Sequence, residues 1–408
     1  MKIHSETLDN GMPMLFLPTP NLNSVALTVA VNYGIMNAEN KKVALPHILE
    51  HLLFTGTSKL SEEEIQAILR KYGISSNAMT TNDYTIYYMQ VYKSYVNKAA
   101  DLLADMVINS TPSKVSIINQ KEVVRSEYIM DLSNPFDMAL SDLNDQLLSS
   151  RVGFKFGYRQ QIESIGNISA KDFLEAYRKH YTPKNMTLTI VGNLKASEAK
   201  KLGERYFGSF QNAGSNAVAE EGVSKQEEES EAKENFAEAG IAIGRLIDNS
   251  NANPKELAKW MLLSKTIDDA MFDYIREEKG LSYWPHSDIN IARTYACIYL
   301  YANSKKENIS KVEESINTLL TKLGTNADLL SKYISNARKE IAIKQKLVED
   351  SALETAIRLS EYSLSGNKEL FNFVSNPRSL KSISKREIEE ALKELMRSDT
   401  VKVKIIPK

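Results

Sequence analysis

Ile168–Gly192 reads ISAKDFLEAYRKHYTPKNMTLTIVG, and Ile383–Pro407 reads ISKREIEEALKELMRSDTVKVKIIP. Both begin Ile-Ser, continue with helical period and Glu-Ala at the same place (Glu175-Ala176, Glu390-Ala391), and end in an alternating strand. The two stretches lie 215 residues apart. A second match, Gly73-Ile74-Ser75 with Gly280-Leu281-Ser282, recurs at a spacing of 207 residues. A unit of roughly 200 residues that recurs once is far longer than a solenoid repeat. The chain therefore reads as a duplicated domain.

Local signals fill in the first copy. Ser24–Tyr33 alternates as a strand. Pro46 opens a helix where its missing N–H costs nothing, and Gly56 closes it. Ser61 with Glu64 forms a capping box for the next helix. Asn77–Val91 is strand-like, and Pro112-Ser113 starts a long helix that runs to about Asp131. Strands and helices alternate irregularly, with no Gly-rich phosphate loop. This predicts an α+β fold of two duplicated domains, each a largely antiparallel sheet packed by helices. Ala219–Asn235 holds seven Glu against two Lys, too little apolar surface to fold alone. The expected boundaries are a first domain at 1–211, an acidic linker at 212–235 and a homologous second domain at 236–408.

Composition limits the function. The 408 residues are 42% hydrophobic and 25% charged, an ordinary globular balance. Lys plus Arg number 51 and Asp plus Glu 52, so the chain is not built to grip nucleic acid by counterion release. The single cysteine, Cys297, excludes an internal disulfide and Cys-based metal sites, and its apolar surroundings predict a buried strand residue. No apolar run is long enough for a membrane span, and the polar start Met1-Lys2-Ile3-His4-Ser5-Glu6 does not read as a signal peptide. A cytoplasmic location is expected.

Two of the five histidines fall in one window, His47-Ile48-Leu49-Glu50-His51. Four residues apart on a helix, both imidazoles can reach one ion. Zinc accepts imidazole and carboxylate in such a site and keeps a position for water, and Glu50 is placed to take a proton from that water. The order H-x-x-E-H inverts the commoner H-E-x-x-H. A third ligand is expected from the long helix, which carries Glu122 and Glu127. Glu127 has Val123, Val124 and Met130 three or four positions away, and a carboxylate in an apolar stripe needs a partner or a metal. Glu127 is read as the ligand. Glu122, on a wetter face, reads as a surface acid or as one that supports a metal ligand from behind.

These motifs resemble the pitrilysin family of inverted-motif zinc peptidases, which includes insulin-degrading enzyme and the mitochondrial processing peptidase. The family pattern continues with a Glu 70 to 80 residues on; Glu127 follows His51 by 76. His51-Leu52-Leu53-Phe54-Thr55-Gly56-Thr57 is similar to its run after the motif. Ser76-Asn77-Ala78-Met79-Thr80-Thr81 resembles its "N-A-x-T" strand, and Asn185–Gly192 the strand closing its first domain. Arg276-Glu277-Glu278-Lys279-Gly280-Leu281-Ser282-Tyr283 resembles its "R-x-x-x-G-L-x-Y" segment.

The resemblance implies a zinc metalloendopeptidase with one Zn2+ per chain, held by His47, His51 and Glu127, with Glu50 as general base. Asn77 and Ala78 would bind substrate backbone by strand addition. Arg276 and Tyr283 would polarise the scissile carbonyl, a hydrogen-bonding role that is usually a large catalytic term. Many active members carry a Glu where this chain has Gln120, so an amide would stand beside the zinc ligands. Members of this length pair into clam-like chambers that admit unfolded peptides. A homodimer with sites completed in trans is the expectation, with a heterodimer as the other form. Two rival readings are an inactive scaffold-like member, and a peptide-binding module with a structural metal.

Overall fold

The computed structural model describes residues 2–211, 228–398 and 400–408, apart from the side chains at 228 and 233. Residues 212–227 of the expected linker lie outside that description. Its remainder does not behave as a linker, since Glu228–Glu234 is a strand.

Contacts divide the chain into two compact units. Among the described residues, the first comprises 2–127, 159–211 and 347–364, and the second 128–158, 228–346, 365–398 and 400–408. The first contains β1 (His4–Thr7), β2 (Pro13–Pro18), β3 (Ser24–Val31), β4 (Ser75–Thr80), β5 (Thr85–Tyr92) and β6 (Met186–Gly192), in the order β1-β2-β6-β3-β5-β4. The second contains β7 (Glu228–Glu234), β8 (Ala239–Asp248), β9 (His286–Ile291), β10 (Tyr295–Ser304) and β11 (Val401–Pro407), in the order β7-β11-β8-β10-β9. Leaving β1 aside, the two sheets follow one path. Each has a single parallel pair, β2–β6 or β7–β11, and antiparallel pairs elsewhere. A shared topology is what duplication produces.

The units do not coincide with the halves of the sequence. In the first, the helix Ala352–Leu364 lies on the sheet, where Ser360 meets Thr28 of β3 at 2.6 Å and Thr189 of β6 at 2.9 Å. In the second, the helix Pro135–Val152 covers β8 and β11, and Gln146 donates to Ser230 of β7 at 2.6 Å. A Cβ at Gly244 of β8 would come within 2.6 Å of a Leu147 methyl and 2.9 Å of a Leu143 methyl, so a larger residue there would have to push those leucines aside. Each half therefore lends one helix to the other half's sheet, which corrects the expected boundaries 1–211 and 236–408. The reason is that an apolar helix side demands a sheet face to cover, and its own sequence does not say which.

Several local expectations hold. Pro46 sits in the first turn of Leu45–Leu52, Ser61 and Glu64 cap Glu62–Tyr72 reciprocally, and the long helix runs Lys114–Leu132. Cys297 is buried in β10. The stretch 77–91 is not one strand but the hairpin β4–β5, turned at Thr81–Tyr84, where the Thr81 side chain accepts from Asp83 and Tyr84 amides. No helix among the described residues is long and apolar enough to cross a membrane.

His180 ends the helix Ala170–His180 buried, its ring stacked on Tyr33 at 3.9 Å. Burial, then the neighbouring Lys179 charge, lowers its pKa to about 4. The unfolded chain protonates this imidazole below about 6.5 while the folded chain keeps it neutral, so stability rises with pH between those values. Acidification from pH 7 to 4.5 should remove about 2–3 kcal/mol through this group. Urea unfolding at both pH values, in one metal state, measures it, and His180→Phe should shrink the difference by that amount.

Candidate metal centre

The helix Leu45–Leu52 carries the paired histidines on one side and buries Ile48, Leu49 and Leu52 on the other. His47 and His51, one turn apart, bring their Nε2 atoms within 3.3 Å. Glu127 of the helix Lys114–Leu132 places Oε2 at 3.5 Å from His47 Nε2 and 3.4 Å from His51 Nε2. The three donor atoms make a nearly equilateral triangle. Tetrahedral zinc with bonds of about 2.0–2.1 Å needs ligand separations of about 3.3–3.4 Å. The donor set and its spacing fit zinc. Among the described residues this is the one group of at least three His, Cys, Asp or Glu side chains so placed.

Electrostatics also suit a metal. Burial, then the neighbouring His51, lowers the pKa of His47 to about 3 and keeps the imidazole lone pair available. Gln120 lies seven residues, about two turns, before Glu127 on the same helix. Its Oε1 sits 3.1 Å from His51 Nδ1. An amide oxygen only accepts, so Nδ1 carries the proton and Nε2 keeps the lone pair for a metal. Gln120→Ala should weaken zinc binding by about 10–100-fold, read by competition with a coloured chelator.

Glu122 is corrected from the double reading given above. It is 67% exposed and faces Arg125 at 3.5 Å, which makes it a surface acid. The helical wheel carried this signal, because five residues put Glu122 about 140° around the helix from Glu127. The stripe around Glu127 is also less buried than expected. Val124 is buried, but Val123 and Met130 are exposed, and Glu127 is itself 39% exposed. The reach of its helix toward the histidines, rather than burial, positions this carboxylate.

Glu50 is buried, within electrostatic reach of His51 and Glu127. Thr80 of β4 donates to its Oε2 at 2.5 Å. Burial pushes the Glu50 pKa up, and the Thr80 bond opposes the shift. The sequence reading quoted Thr80 within a strand motif and gave it no role.

β4 is the edge strand of its sheet, paired with β5. Strand alternation divides its residues between the two sheet faces. Thr80 and Ala78 share the face of Glu50, with Tyr87 opposite Ala78. Asn77 and Met79 take the other face, where Met79 packs against Ala30, Ile86 and Leu364. The structure thus brings Ala78 to the metal side and turns the Asn77 side chain away, where its Oδ1 accepts from the Ala78 amide at 2.9 Å.

Arg276 and Tyr283 belong to the second unit. The helix Pro254–Met271 passes into a π-helical stretch, Phe272–Glu278, a geometry that recurs at functional sites. There the Arg276 guanidinium lies between the rings of Phe272, at 4.7 Å, and Tyr283, at 4.5 Å. Tyr283 is 74% exposed. The two residues are neighbours, and Phe272 is a partner that the sequence reading missed.

The family model "Insulinase (Peptidase family M16)" matches residues 14–150, and "Peptidase M16 inactive domain" matches 167–339. An uncharacterized zinc protease of Bacillus subtilis is 26% identical, over 82% of this chain and 81% of its own length. A probable mitochondrial-processing peptidase subunit beta of Schizosaccharomyces pombe is 27% identical, over 52% of this chain and 46% of its own. The crystal structure of a protease from Helicobacter pylori shares the fold, with TM-score 0.89 and 18% identity, covering 100% of this chain and 99% of that one. The two matched models and the inverted histidine motif agree: the chain belongs to the peptidase M16, pitrilysin-like, family in its short two-domain form.

Proposed function

We propose that the protein is a zinc metalloendopeptidase that hydrolyses extended or unfolded peptides. The observation that carries this reading is the triangle of His47, His51 and Glu127, with the buried Glu50 within electrostatic reach of His51 and Glu127. When bound, zinc supplies Lewis acidity that makes water a nucleophile near neutral pH. Thr80 holds Glu50 by Oε2, which leaves Oε1 to take the proton of the attacking water and later to pass it to the leaving amine. The unpaired side of β4 offers main-chain groups to an extended peptide, and small Ala78 lets that backbone approach. Arg276 and Tyr283 donate hydrogen bonds to charge developing on the scissile carbonyl oxygen.

A homodimer is part of the proposal, because one chain carries both the histidine motif and the Arg/Tyr segment. The name of the second matched model, an inactive domain, favours a silent scaffold as the rival. Against it, the first domain keeps both histidines, Glu50 and Glu127. The test joins elemental analysis with cleavage of a quenched peptide library, with and without chelator. One zinc per chain, and cleavage that chelator abolishes and zinc restores, is the expected result. Zinc-loaded protein that cleaves nothing would favour the scaffold.

A further inference from the structure

We propose that Thr80 is a positioning residue that ties the docking edge of β4 to the alignment of Glu50; the inference rests on the peptidase reading above. Glu50 has three rotatable side-chain bonds, and nothing in its helix alone fixes where the carboxylate points. Thr80 Oγ1 supplies that restraint at 2.5 Å from Oε2. A second hydroxyl lies beside it: Thr85 Oγ1 is 3.2 Å away and donates to the Tyr33 carbonyl at 2.9 Å. A hydroxyl has one proton, and Thr85 commits its own to Tyr33. Ionised Glu50 therefore receives the Thr80 proton, and no proton is left for a hydrogen bond between the two hydroxyls, so the bond to Glu50 is the one the Thr80 hydroxyl donates.

Position along the strand gives this bond its consequence. Thr80 follows Ala78 by two residues on the same sheet face, about 7 Å along β4. A peptide paired with the free edge of β4 takes its register from that backbone. The same backbone sets the height of the Thr80 hydroxyl and so of the Glu50 carboxylate. Docking edge and base are measured from one rigid element, and a bound peptide meets the base in a fixed relation. Misplacement of a reacting group by about 1 Å costs on the order of 10²-fold in rate. A restraint of this kind acts on kcat and leaves peptide affinity nearly alone.

The experiment uses the full zinc-loaded chain and a quenched extended peptide. Thr80→Val keeps the shape and removes the donor; Thr80→Ser keeps the donor. T80V is expected to lower kcat on the order of 10²-fold, with KM and zinc content near parental values, and T80S to stay within about threefold of the parent. In a Glu50→Gln background T80V should cause little further loss, because a residue acting through Glu50 has nothing left to position. Where T80V melts below the assay temperature, Thr80→Ala replaces it with the same expectation. Parental kcat in T80V, equal losses in T80V and T80S, or full additivity with Glu50→Gln would overturn the role while the peptidase reading stood. A zinc-loaded parent that cleaves no peptide would overturn that reading and this role with it.

Discussion

Glu50→Gln should leave zinc bound and lower hydrolysis by about 10²–10⁴-fold, the contribution of a general base. Glutamine preserves the shape and keeps an oxygen for Thr80, which donates to Oε2 at 2.5 Å in the parent protein. It cannot accept the proton of the attacking water. Glu127→Gln should behave differently, because Glu127 Oε2 closes the triangle with both Nε2 atoms. Losing that carboxylate lowers metal occupancy first, and activity falls as a consequence. Zinc analysis of both proteins, beside kcat on one peptide, separates the roles. A Glu50→Gln protein without metal beside a fully loaded Glu127→Gln protein would reverse the assignment.

The second large effect concerns subunit mixing. Glu50→Gln damages the metal-side machinery, and Arg276→Ala with Tyr283→Phe damages the Arg/Tyr segment. Each altered homodimer should be nearly inactive. If the segment of one chain serves the metal site of its partner, a mixed dimer contains one site with every residue intact and one with both defects. Co-expression should then restore activity, in part, since random pairing makes about half of the dimers mixed. If each chain serves its own site, every site in the mixture keeps a defect and nothing returns. Mixed dimers shown to form and still inactive would reject the trans arrangement without touching the metal assignment.

How far each feature was legible in the sequence follows from the distance over which its cause acts. His47 and His51 could be paired on paper because a helix fixes the relation of residues four apart, and their Nε2 atoms meet at 3.3 Å. The capping box of Ser61 and Glu64 and the first-turn Pro46 are equally local, and both stand as expected. Glu122 was left open though the helical wheel excludes it. Its five-residue step from Glu127 turns it to solvent and Arg125, whereas the seven-residue step returns Gln120 to His51.

Other features needed the third dimension. Asn77 and Ala78 are adjacent in sequence, and a strand sends adjacent side chains to opposite faces. Which face holds the metal group depended on where the helix Leu45–Leu52 packs. Thr80 gained its part only because the hairpin sets β4 beside Glu50, thirty residues earlier in the chain. Phe272 joined Arg276 and Tyr283 through a π-helical stretch whose hydrogen-bond register no residue pattern announced.

By itself, then, the sequence determined the duplicated α+β plan, the inverted histidine motif and the donor types of the metal site. These depend on helix and strand periods and on side-chain chemistry, which act over a few residues. Tertiary structure alone decided that the helices Pro135–Val152 and Ala352–Leu364 each cover the sheet of the other half. It also decided that Gln120 fixes a histidine tautomer and that Thr80 steadies Glu50. Those outcomes rest on which surfaces meet, and the packing of apolar faces settles that between segments distant in the chain.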